Sequence, residues 1–198
     1  LIREKEGMPM KDYLQVCSTR RVYLGTPVTL LLMLIAMIML SGCNNSEQTT
    51  QAQPPVAIEA GDECHVCGMI IVNYPGPKGE AYLRHSKTPL KFCSTRDLFS
   101  YLLQPESQSN VTQVYVHDMG AANWAHPVDS DFIEARAAWY VADMPLKGAM
   151  GPTLASFKSR QDARAFMEKH GGRLLQYQDI TLTILATLSD GTHNAAHP

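Results

Sequence analysis

The hydropathy pattern divides the chain into an apolar run, a polar stretch and a long mixed body. From Leu30 to Leu40 every side chain is Leu, Ile, Met or Ala, with Arg20 and Arg21 ahead of the run and Lys11 further back. About a dozen apolar residues fall short of the roughly 20 that a bilayer-spanning helix needs, so the run reads as the apolar part of an export signal covering residues 1–42. From Asn44 to Pro55 the pattern reverses to Gln, Thr, Asn, Ser and Pro. So polar a stretch buries little, which predicts a flexible tether over residues 43–62 and a folded body starting near Glu63.

Within the body, Phe92-Cys93-Ser94-Thr95-Arg96-Asp97-Leu98 overlays Phe157-Lys158-Ser159-Arg160-Gln161-Asp162-Ala163, with Phe, Ser and Asp matching at one offset. In both copies a serine followed three residues later by an acid predicts a helix N-cap with its N3 partner. Leu98, Phe99 and Leu102 form the apolar face of the first helix; Ala163, Phe166 and Met167 form that of the second. Gly171-Gly172 stops the second helix. Strand-like stretches follow, Val111–Val116 and Arg173–Tyr177, and others precede, Ala81–Leu83 and Ala138–Val141. The order strand, strand, helix, strand therefore occurs twice in an α+β chain. The two units are expected over residues 63–125 and 126–185, with a frayed tail over 186–198.

Composition narrows the function. The 198 residues are 45% hydrophobic and 18% charged, a globular balance, and 17 basic against 19 acidic side chains leave a net charge of -2. No basic excess exists to grip a phosphate backbone, so nucleic acid is excluded as a partner. The apolar run ends in Leu40-Ser41-Gly42-Cys43, which resembles a bacterial lipobox with Cys43 as the lipidated first residue of the mature protein. Several acyl chains there would anchor the protein to a membrane without spanning it. Asn44 after the lipidated cysteine resembles the pattern of lipoproteins sent to the outer membrane, on the periplasmic face of the envelope.

The chemistry concentrates at Cys64-His65-Val66-Cys67-Gly68-Met69. Thiolate and thioether sulfurs prefer Cu(I), whereas zinc sites use Cys, His and carboxylate and almost never Met. If Cys67–Met69 is extended, both sulfurs point to one face and reach a single ion. Setting aside Cys17 and Cys43, three thiols remain, Cys64, Cys67 and Cys93, so one has no partner within the monomer. His117 and Met119, two apart where a strand ends, and Met150 in a glycine-flanked loop are candidate further ligands. Cys93 reads as a small buried hydrophobe ahead of a helix. No second C-x-x-C is present to complete a zinc site, and no nucleophile–base pair or phosphate-binding glycine loop points to an enzyme.

At these residues the chain resembles the NosL lipoproteins, copper chaperones for nitrous oxide reductase. The resemblance rests on Cys64 to Ile71, Pro75-Gly76-Pro77-Lys78, Phe92-Cys93-Ser94 and Gly148-Ala149-Met150-Gly151-Pro152. It implies two similar ββαβ units and one Cu(I) per monomer on Cys67 and Met69, with Cys64 a variable extra beside that core. It also implies delivery of copper to the copper-sulfide cluster of nitrous oxide reductase through an ABC-transporter assembly complex. Two other readings stand beside it. One is an envelope thiol–disulfide oxidoreductase using Cys64 and Cys67; the other is a lipoprotein whose sulfur site binds zinc for structure alone.

Overall fold

The computed structural model describes residues 52–189; the export signal, Cys43 and the chain from Asp190 onward lie outside the described residues. Strand β1 (Gly79–Leu83) pairs antiparallel with β2 (Leu90–Phe92) on one side and β3 (Val111–His117) on the other. Helix α1 (Thr95–Leu102) connects β2 to β3, with a short helix α2 (Pro105–Gln108) after it. The second half repeats this topology. Strand β5 (Trp139–Ala142) lies between β8 (Ala155–Phe157) and β9 (Arg173–Gln176), and α3 (Arg160–His170) joins the outer two. Both units are thus ββαβ with the first strand central, as the sequence overlay predicts.

The matched serines explain why the helices start where they do. Ser94 Oγ accepts from Asp97 N at 3.1 Å and Ser159 Oγ accepts from Asp162 N at 3.1 Å, while each hydroxyl donates to its aspartate. Each cap satisfies a backbone donor that the first helical turn leaves unpaired. Leu98, Phe99 and Leu102 then bury against Phe92, Val114, Tyr140 and Leu154. On the second helix Ala163 is buried, with Phe166 and Met167 packed beside Val141, Met144 and Phe157.

The sequence boundary at residue 126 does not separate the units. Strand β4 (Phe132–Glu134) pairs with β3 and completes the first sheet, giving the order β2-β1-β3-β4. Met119 N donates to Ser156 O and Ser156 Oγ to His117 O, tying β3 to β8. Thr95 Oγ1 donates to Leu154 O at 2.6 Å. A two-stranded hairpin, β6 (Lys147–Gly148) with β7 (Gly151–Pro152), sits between β5 and β8. A Cβ on Gly148 would lie 3.4 Å from that of Ser94, so this hairpin packs against the start of α1.

The ordered chain also begins earlier than Glu63. Residues 53–58 run along β1 as a strap. Gln53 N donates to Gln113 Oε1, Tyr82 OH to Pro54 O, Val56 N to Glu80 Oε2, Lys91 Nζ to Ala57 O and Ile58 N to Asp129 Oδ2. Polar side chains of the sheet bond the strap's backbone, so it needs little apolar surface of its own, and hydropathy alone misses it. At the other end, helix α4 (Leu182–Ala186) is capped by Thr181 and buries Leu185, and Ser189 N donates to Asp143 Oδ1. The frayed tail expected from residue 186 therefore does not begin within the described residues.

Candidate metal centre

Residues 63–70 fold back on themselves. Glu63 and Ile70 form an antiparallel bridge, Cys64 N donates to Met69 O at 2.9 Å, and Gly68 N donates to Cys64 O at 2.8 Å. Gly68 closes the turn at φ +72°, a left-handed conformation that side-chain-bearing residues rarely adopt. Cys67–Met69 is therefore not the extended run assumed from sequence. The stretch after it is a single 3-10 turn, Ile71–Asn73, with Ile71 fully buried. This pinch points Cys64 inward at 2% exposure, leaves Cys67 half-buried and sets His65 and Val66 outward. His65 N donates to Lys91 O at 2.9 Å and fastens the loop to β2.

Opposite the loop, β2 delivers Cys93 at the mouth of α1, and Asp97 faces the same way one turn later. The ligand atoms of Cys64, Cys67, Cys93 and Asp97 all lie within 4.8 Å of one another, the sole such group of metal-binding side chains among the described residues. Cys67 Sγ is 3.4 Å from Cys93 Sγ, Cys93 Sγ donates to Asp97 Oδ2 at 3.0 Å, and Cys64 Sγ stands 4.0 Å from the same oxygen. All three cysteines are free thiols. Sequence reasoning places Cys93 in the core and Asp97 in a cap; both are also members of this group. The signal was the overlay itself. Asp162 keeps the cap and stays exposed, while Asp97 is buried, and the position of Cys93 is held by Lys158 in the other copy.

The four groups do not share charge evenly. A hydrogen bond from Cys93 lowers the Cys64 thiol to about 5 against the opposing effect of burial, with the backbone amides of Cys93, Cys67 and Val66 adding to the lowering. Cys93 is pushed far up by that bond to Cys64, by burial and by the Asp97 carboxylate. Burial raises Cys67, and the Met69 amide works against it. The hydrogen bonds to Cys64 favour its charged form, whereas burial disfavours that form at Cys67, and the bond to Cys64 together with burial disfavours it at Cys93. Lys78 lies close by, 4% exposed, with Nζ donating to the carbonyls of Tyr74 (2.6 Å), Pro75 (3.1 Å) and Cys93 (3.3 Å). Burial lowers this ammonium to about 8, and negative charge on the neighbouring thiol group opposes the lowering. A buried cation beside the thiols reduces the cost of an anionic site.

The other candidates fall in different places. Met69 is half-buried at the end of the turn, its carbonyl bonded to Cys64 N. Met150 is 51% exposed at the tip of the β6–β7 hairpin, whose neighbour Ala149 packs on the cluster holding Cys64 and Cys93. His117 and Met119 do not join the cysteines, which corrects their expected place as further ligands. His117 is 1% exposed, stacked on Phe132 at 4.0 Å, and its Nδ1 accepts from Lys78 N at 3.1 Å. That bond puts the proton on Nε2, which faces Asp129 at 4.0 Å, so neither nitrogen offers a free lone pair. Met119 packs with Val141, Met144 and Phe157 in the other core cluster. The two side chains diverge because the strand ends at His117 and the chain turns.

Three thiols and a carboxylate suit a thiophilic ion. Cu(I) takes two or three sulfurs, and the complete set also satisfies tetrahedral zinc, so the absence of a second C-x-x-C is no argument against zinc. A C-x-x-C oxidoreductase exposes its first cysteine at a helix start. Here Cys64 is buried and the motif lies in a turn.

The NosL family model matches residues 55–185. The chain is 44% identical over 169 residues to the copper-binding lipoprotein NosL of Stutzerimonas stutzeri, covering 85% of this chain and 87% of that protein. It is 35% identical over 165 residues to the copper-binding lipoprotein NosL of Achromobacter cycloclastes, covering 82% and 84%. The crystal structure of the copper chaperone NosL from Shewanella denitrificans superposes with a TM-score of 0.65 at 50% identity, covering 67% of this chain and 98% of that one.

Proposed function

The chain belongs to the NosL family, and on that premise we propose that it is a lipid-anchored Cu(I) carrier of the cell envelope that supplies copper for assembly of the copper-sulfide cluster of nitrous oxide reductase. The observation that carries the reading is the convergence of three free thiols with one of them, Cys67, reachable from solvent. A carrier has to hold its ion yet release it to a partner. Buried Cys64 and Cys93 supply retention, and half-exposed Cys67 supplies the point of exchange.

In this reading Cu(I) is cargo. Cys67 and Met69 are its principal ligands, Cys64 or Cys93 adds a second thiolate, and Met150 on the exposed hairpin is a further thioether within the same region. Loading replaces thiol protons by the ion, so protons are released and affinity rises with pH. In unloading, a sulfur or imidazole of the recipient enters the coordination shell at the exposed side before Cys67 leaves. Lys78 keeps the thiolate-rich pocket electrically affordable. Lipid on Cys43 restricts the search for partners, the reductase and its ABC-transporter complex, to the periplasmic face of a membrane, the outer one in our reading.

The test is Cu(I) titration of the reduced chain against a competing chelator. One ion per chain is expected, lost in Cys67→Ala and weakened in Met69→Ala. Tight binding that ignores both substitutions sinks the assignment. The second reading, structural zinc, draws on the set Cys64, Cys67, Cys93 and Asp97. It requires that removing zinc unfold the protein and that Cu(I) fail to displace it.

A further inference from the structure

The 3.4 Å approach of Cys67 Sγ to Cys93 Sγ has a use beyond holding an ion. We infer that the metal-free site is closed by a reversible Cys67–Cys93 disulfide, formed by exchange with a small-molecule or protein disulfide, and that bound Cu(I) protects it from closure. The inference rests on the copper reading for its purpose, though not for its chemistry.

Geometry selects the pair and the order of events. Cys67 is the half-exposed sulfur, whereas Cys64 and Cys93 are 2% and 0% exposed, so a disulfide from solvent meets Cys67 first. The Cys67 sulfur attacks one sulfur of the incoming disulfide. That S–S bond breaks, a mixed disulfide forms on Cys67, and one half of the reagent leaves as a thiol carrying the Cys67 proton. Cys93 Sγ, already in contact, then attacks the Cys67 sulfur. The second half of the reagent leaves with the Cys93 proton. Two protein thiols become one disulfide, and the reagent disulfide is reduced to two thiols. No other oxidant is needed.

The 3.4 Å contact makes the second step intramolecular and favours it over another encounter with solvent, so the mixed disulfide does not accumulate. Cys64 is left as the one cysteine outside the disulfide, so no two-thiolate site remains and the exchange ligand Cys67 is lost. An ion on Cys67 occupies the lone pair that the first attack requires. Closure thus prevents an empty carrier in an oxidising compartment from being trapped in permanent adducts, and reduction of the disulfide reopens it for loading.

The experiment treats the full, reduced, metal-free chain with oxidised glutathione and follows it by mass spectrometry. The expected product has lost the mass of two hydrogens and carries no glutathione. Peptide mapping joins Cys67 to Cys93, Cu(I) uptake is lost, and a phosphine reductant restores it. Cys93→Ser should retain glutathione on Cys67, and Cys64→Ser should still close. Protein loaded beforehand with Cu(I) should stay reduced. A Cys64–Cys67 link, a persistent adduct on the unaltered chain, or unchanged thiols would overturn the inference. Cu(I) binding by the reduced chain, measured first, keeps the two failures apart. No uptake there refutes the carrier, while normal uptake that survives oxidation refutes the closure.

Discussion

Replacing Glu80 by Gln should make the protein's stability less dependent on pH. Glu80 sits on β1 at 0% exposure. Its Oε2 accepts from Val56 N at 3.0 Å, and its Oε1 has no hydrogen-bond partner. Lys91, the nearby cation, is engaged with Asp62 instead. Burial raises the carboxyl from 4.5 to about 7, only partly opposed by the Val56 amide and Lys91. A carboxyl raised on folding contributes stability that is complete below its unfolded value and is lost as pH rises through the folded one. With about 1.4 kcal/mol per pH unit, the interval from 4.5 to about 7 amounts to about 3 kcal/mol lost between pH 4 and pH 8. An amide still accepts from Val56 N and carries no charge. Its NH2 inherits the unpaired position of Oε1, at a cost of about 1–2 kcal/mol that does not change with pH. The difference between Glu80→Gln and the unaltered protein should therefore swing by about 3 kcal/mol in favour of the variant from pH 4 to pH 8, roughly 10 °C in Tm for a body of this size. Urea unfolding of the reduced, metal-free protein at several pH values measures it. Parallel loss in both proteins would show that Glu80 bears its charge without penalty and refute the reasoning.

Other tests address separate features. Ser159→Ala should cost about 1 kcal/mol as a lost helix cap and leave Cu(I) affinity alone. Ser94→Ala removes the same cap and also a donor to Asp97, so it should weaken Cu(I) binding in the titration as well. Gly172→Ala should destabilise by more than about 2 kcal/mol, because φ is +106° and the new Cβ would meet Ala142 O at 2.6 Å; Gly171→Ala, with open space around it, should cost less in thermal unfolding. His117, lowered to about 3 first by burial and then by Lys78, should remain neutral in an NMR titration from pH 8 to pH 5. It contributes stability present above its usual value near 6.5 that falls away as pH drops toward 3.

The repeat was visible in sequence because the same local physics acts twice. A serine and an aspartate three apart cap a helix wherever they occur, and the apolar faces of Leu98–Leu102 and Ala163–Met167 need only a core to rest on. The donor set was half visible. Cys64 and Cys67 are neighbours in the chain, but Cys93 joins them through the pairing of Gly79 with Phe92 and the anchoring of His65 to Lys91, contacts that hydropathy does not encode. Cys93 has the burial expected of it as a small hydrophobe; membership of a sulfur cluster is compatible with that burial. The extended Cys67–Met69 run failed at one dihedral, since Gly68 takes the turn that lets Cys64 N reach Met69 O. The helix α2 was missed because four residues starting at Pro105 are too few to carry a periodicity.

The strap has a mechanical consequence. Pro54 lies beside Tyr82 and Val56 beside Glu80, so the strap runs opposite in direction to β1. Gln53 reaches Ser86 and Gln113 at one end of that strand, while Gly79, at its other end, pairs with Phe92 next to Cys93. Four steps of about 3.3 Å separate Gly79 from Leu83 by roughly 13 Å. A pull on the chain ahead of Ala52 is therefore taken up by the pole remote from the thiols. If the proposed lipid anchor holds, tension from it enters the fold at the end away from Cys64, Cys67 and Cys93.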